Sequence, residues 1–213
     1  MRKKTVLLSV AFLIVQSGLY AQGRSQLGIH AGYLYPKDID SSIMYGVMVN
    51  SAFDEAVDVG FGFDFFQKVY SERTPVVPEA GQPQQQSVER IKVDYSRTAV
   101  PLYVSIKVKI PTVRSRIFGY FIRANLSYQF LISNEKNYER NVSETRKYKG
   151  MGWQAGAGLF YRIGSRSTLI AEGLLNNCVV SRDVGTQTAL LPMTERVNLS
   201  GIGVRAGVEL DLR

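Results

Sequence analysis

Val57-Asp58-Val59-Gly60-Phe61-Gly62-Phe63-Asp64-Phe65 alternates without a fault. Side chains of an extended chain point to opposite faces at successive residues, so this run predicts a strand with two unlike sides. One side carries Val57, Val59, Phe61, Phe63 and Phe65, and the other only Asp58, Gly60, Gly62 and Asp64. A soluble sheet tolerates such a pattern in one or two strands. Its repetition along the chain predicts a β-barrel whose apolar side faces lipid.

The same alternation marks eight strands, near 26–35, 43–53, 57–70, 91–110, 117–132, 149–162, 168–177 and 197–212. In the fourth, Val100, Leu102, Val104, Ile106, Val108 and Ile110 oppose Tyr103, Ser105, Lys107 and Lys109. In the fifth, Ile122, Ala124 and Leu126 oppose Arg123, Asn125 and Ser127. The sixth sets Trp153 and Tyr161 against Gln154 and three glycines, and the seventh sets Leu169 and Leu175 against Glu172. The eighth sets Val204 and Leu210 against Arg205, Glu209 and Asp211.

Connections of alternating length join these strands. Those at 54–56, 111–116 and 163–167 are short, and those at 36–42, 71–90, 133–148 and 178–196 are longer. Transmembrane barrels sort their loops in this way, with short periplasmic turns and longer external loops. The predicted fold is therefore all-β, an eight-stranded antiparallel up-and-down transmembrane barrel, with both termini in the periplasm. Residues 71–90 contain Pro75, Pro78, Pro83 and three consecutive glutamines, too few apolar groups to pack.

Ahead of the barrel, Arg2-Lys3-Lys4 and an apolar run over 6–15 have the layout of a signal peptide, with cleavage expected after Ala21. The run is too short for a retained spanning helix. The expected organisation is thus a leader over 1–21 and one barrel domain over 22–213. The pI near 9.6 and formal charge of +8 raise nucleic acid as a partner, but export and the scatter of the basic residues exclude it. Anionic headgroups, including lipopolysaccharide, are the expected partners of that charge. Cys178 is the sole cysteine, so no intrachain disulfide forms, and a closed hydrogen-bonded wall must hold the domain together.

An eight-stranded barrel is just wide enough for side chains to fill it. A polar network in the lumen is expected from Asp58, Asp64, Lys107, Arg123, Glu172, Arg205 and Glu209, joined by His30, Lys109, Gln129, Gln154, Arg162 and Asp211. Both signs are present, as buried charge requires, and Gly60, Gly62, Gly156, Gly158, Gly203 and Gly207 leave room for the longer side chains. His30 is the sole histidine and has no serine or carboxylate at a recognisable catalytic spacing. No catalytic, metal or cofactor site is read from the sequence.

Three stretches carry a resemblance to a known group. Leu27-Gly28-Ile29-His30-Ala31-Gly32-Tyr33, Ala99-Val100-Pro101-Leu102-Tyr103-Val104 and Tyr120-Phe121-Ile122-Arg123-Ala124-Asn125-Leu126 look like the first, fourth and fifth strands of PorT-like and OmpA-like outer-membrane barrels. The resemblance implies residence in the outer membrane of a Gram-negative bacterium, assembly by the barrel-insertion machinery, and cell-envelope protein partners, in some members linked to secretion. The ending Leu210-Asp211-Leu212-Arg213 departs from the terminal aromatic of many such barrels. Three roles stand open: a structural or interaction barrel, a narrow channel or small-solute transporter, and a periplasmic lipocalin-like barrel with its apolar face turned inward around a ligand.

Overall fold

The computed structural model describes residues 25–75, 89–112, 115–137, 142–184 and 193–212. The leader expected over 1–21 and most of the expected 71–90 connection lie outside these residues. The strands are β1 (Ser25–Pro36), β2 (Ser42–Ala52), β3 (Val57–Pro75), β4 (Glu89–Thr112), β5 (Ser115–Asn137), β6 (Val142–Arg162), β7 (Ser167–Val184), β8 (Met193–Asn198) and β9 (Gly201–Leu212). Every pairing is antiparallel, each strand with its chain neighbour from β1 to β7. β9 then joins β7 to β1 and closes the ring. β8 and β9 are two parts of one stave, interrupted at Leu199-Ser200, so the closed wall has eight staves.

Burial follows the alternation residue by residue. In β5, Leu126 is 61 % exposed on the outer wall while Arg123 is 3 % exposed in the lumen. Phe61, Phe63 and Phe65 face outward, and Asp58 and Asp64 are buried. Polar inside and apolar outside is the reverse of a lipocalin-like arrangement.

Several strands run past the predicted ends. β5 and β6 extend to Asn137 and from Val142, through most of the expected 133–148 loop, and β7 continues to Val184 rather than 177. Beyond the apolar belt both faces meet water, so hydropathy stops alternating while backbone pairing continues. The result is a lopsided rim: β4 has 24 residues against 12 in β1.

That rim also splits. The β6–β7 ladder reaches only Lys149–Ser181, after which β6 pairs with β5 alone and β7 with β8 alone.

Candidate functional site

The lumen is built in layers. Nearest the short turns lies an ion layer, in which four cations (Lys107, Lys109, Arg123 and Arg205) face four carboxylates (Asp58, Asp64, Glu172 and Glu209). The chain of contacts is continuous. Asp58 holds Lys109 at 2.7 Å and Lys107 at 3.0 Å, and Lys107 reaches Glu209 at 2.7 Å. Arg123 bridges Glu209 at 3.3 Å to Glu172 at 3.0 Å, and Arg205 Nε lies 2.9 Å from Glu172. Arg205 then approaches Asp64 at 3.8 Å, and Asp64 takes hydrogen bonds from Tyr103 Oη at 3.1 Å and with His30 Nε2 at 2.8 Å.

Cross-strand register explains much of this. Asp58 stands opposite Lys107 in the β3–β4 ladder and Glu172 opposite Arg205, within reach of a direct pair. Lys107 and Arg123, like charges opposed across β4–β5, are held together by the Glu209 carboxylate that both reach. The interior has room because Gly46 faces His30 and Asp64 across β1–β3, where a Cβ would collide with both side chains. Gly156 plays the same part against the Glu172 carboxylate.

All seven residues singled out in the sequence therefore sit in one connected array, with Lys109 more open at its end. Arg162 does not join it and is exposed near the β6–β7 turn. Asp211 is half-buried and accepts a 2.7 Å bond from Gln26. Tyr103 and Asn50 take part, the latter donating to Glu209 at 3.4 Å, although sequence reading did not single them out. Their signal was phase alone, since both lie on the inward row of their strands.

An amide layer follows. Asn125 donates to Gln154 at 3.0 Å, Gln129 donates to Asn176 at 3.2 Å, and Asn176 donates to the Leu199 carbonyl at 2.6 Å. Above it the interior turns apolar, which the expectation of a polar core did not include. Leu34, Met44, Phe66, Leu131, Cys178 and Val180 pack there with Ile39 and Leu199. Ile39 enters from the 37–41 loop, which is pinned by Lys37 N donating to Ser200 O at 3.0 Å and Asn198 N donating to Asp38 Oδ2 at 2.7 Å. The break at Leu199-Ser200 thus turns the last stave inward to meet the first loop. Between the amide and apolar layers is a cavity of about 20 Å³, room for one water molecule.

Outside the belt a second ion cluster spans the rim split. Arg146 meets Glu144 at 2.7 Å and Glu195 at 3.8 Å, and Arg182 meets Glu195 at 3.0 Å and Glu144 at 3.5 Å. Arg146–Glu195 and Arg182–Glu144 join β6 to β8 and β7 where the backbone ladder has ended, while the other two pairs lie within β6 and between β7 and β8. His30 Nε2 lies on Asp64, which also accepts from Tyr103 Oη, and Ser127 Oγ accepts from Gln129. Among the described residues no cluster of metal-ligating side chains occurs.

A closed eight-stranded antiparallel wall, apolar outside and charge-paired inside, defines the class of small up-and-down membrane β-barrels. Solved structures agree. Neisserial surface protein A matches with TM-score 0.56 and 11% identity, over 88% of this chain and 97% of that one. OprG from Pseudomonas aeruginosa matches with TM-score 0.57 and 10% identity, over 90% and 97%. The Escherichia coli outer membrane protein W matches with TM-score 0.53 and 9% identity, over 91% and 100%. At such identities the likeness is one of fold. Neither a protein-family model nor a curated protein matches the sequence.

Proposed function

We propose that this chain is an exported, integral outer-membrane barrel that acts through its external surface rather than by passing solutes. In this reading the leader over 1–21 is removed, the barrel-insertion machinery assembles the domain, and both termini remain periplasmic. The long-loop end then faces outward, among lipopolysaccharide, and offers its rim to cell-envelope partners.

The observation that carries the reading is the sealed interior beneath a greasy wall. Exposed apolar rows such as Val104, Ile106, Ile122 and Leu126 suit contact with lipid, while ion, amide and apolar layers occupy the lumen one above another. A conducting barrel needs a wet path, and an apolar layer closed by Ile39 and Leu199 interrupts it.

Fractionation of cells combined with gel mobility before and after heating tests the placement. An outer-membrane band that shifts on heating is the expected result. Recovery in the soluble periplasmic fraction would overturn it.

A further inference from the structure

The outer wall changes character abruptly along β6. Tyr161, Leu159, Ala157, Ala155, Trp153 and Met151 face outward in succession, and the next two outward residues are Lys149 and Lys147. Ten residues from Tyr161 to Met151, at about 3.3 Å each and tilted about 40°, rise about 25 Å, the height of a barrel's apolar band. Lys149 therefore stands at headgroup level. The last stave repeats the change: its outward row runs from Leu212 to Ile202, and beyond the Leu199-Ser200 break Arg196 is exposed.

Register brings these basic residues together. Phe130 opposes Lys149, Lys149 opposes Ser181, and Ser181 opposes Arg196, so one hydrogen-bonding row crosses β5, β6, β7 and β8. Lys149 and Arg196 flank Ser181 one strand away on each side, about 10 Å apart at the backbone. Their long side chains converge readily on one phosphate. Lys147 is the next outward residue on β6.

The electrostatics separate this patch from the two ion clusters described above, whose charges are paired with one another. Among the described residues, no carboxylate lies within ion-pair distance of Lys147, Lys149 or Arg196. One outward acid, Asp183, follows Ser181 on β7 and leaves the patch a net cation. Below it lie exposed Met151, Trp153 and Val179, with Tyr128 edge-on to the Phe130 ring of the patch's own row at a centroid distance of 4.9 Å.

We infer that Lys147, Lys149, Ser181 and Arg196 form a binding site for the phosphorylated headgroup of an outer-leaflet glycolipid, whose acyl chains lie along Met151, Trp153 and Val179. The site deepens the reading above and rests on its placement of the long-loop end at the outer leaflet. Two cations flanking a hydroxyl suit a phosphate monoester held on a sugar, and an apolar wall directly beneath suits the chains attached to it.

The test uses the full barrel, refolded and placed in nanodiscs, with native mass spectrometry reading the retained lipid. A diglucosamine lipid carrying two phosphate monoesters, its dephosphorylated counterpart, and phosphatidylglycerol are the probes. The phosphorylated glycolipid should be retained, and the other two should not compete with it. The combined K147Q, K149Q and R196Q variant should bind it more weakly by on the order of a hundredfold, at roughly fivefold per charge. K37Q, an exposed lysine of the 37–41 loop, should bind as before. Equal retention by the triple variant, or equal competition by phosphatidylglycerol, would overturn the site. Heat-dependent gel mobility on the same samples reports the barrel itself. Its loss would fault the fold reading, whereas its persistence with undiminished lipid binding would fault the site alone.

Discussion

Glu172 holds two guanidinium groups at once, Arg205 in a fork at 2.9 and 3.2 Å and Arg123 at 3.0 Å, with all three side chains about 1 % exposed. Removing the carboxylate leaves both cations short of a partner where water cannot replace it. Glu172→Ala is therefore expected to cost about 3–5 kcal/mol, the usual toll for breaking a buried pair. The urea midpoint of the refolded barrel measures it, and an unchanged midpoint would mean that the lumen is wet. Gly46 tests the same layer sterically. Gly46→Ala places a methyl against Asp64 and His30, for an expected loss of about 1–3 kcal/mol by overpacking, read in the same titration.

Elements differ in how openly the sequence declares them. Val57 to Phe65 and Leu126 to Phe130 were legible because lipid on one side and a charged lumen on the other impose opposite demands on neighbouring residues. Ser143 to Lys147 was not, because both faces are wet there and only backbone pairing keeps the strand. The turn of the last stave at Leu199-Ser200, and the insertion of Ile39, were equally hidden: each depends on a partner distant in sequence. The inward faces of the ion layer could be listed from phase, but which acid meets which base required the register.

The rim split should respond to pH and salt. The Arg146 hydrogen bond holds the Glu144 carboxyl below the ordinary carboxylate range. Its pKa is lower folded than unfolded, so its contribution is complete above the ordinary carboxylate pKa and is lost as pH falls through the lowered folded value. Amide exchange in 142–148 should therefore quicken, relative to the belt, on acidification through that window. High salt at neutral pH should have a similar effect by screening exposed pairs. Exchange in this segment that ignores both would show that the ion pairs do not hold the split closed.

For the whole molecule, the outer wall and the sealed interior make separate demands. At mid-height, Leu126→Arg sets a cation in hydrocarbon, for an expected cost of about 2–4 kcal/mol. Denaturant titration in lipid vesicles measures this, and a neutral result would place Leu126 outside the bilayer. The sealed lumen is the central claim, and conductance tests it most directly. The barrel should be inserted into planar bilayers from vesicles in which heat-dependent mobility shows it folded. No resolved current steps are expected from the unaltered chain. Stable ohmic steps would contradict the account, because ions cannot cross the layer of Ile39, Phe66, Leu131 and Leu199 while it stays closed.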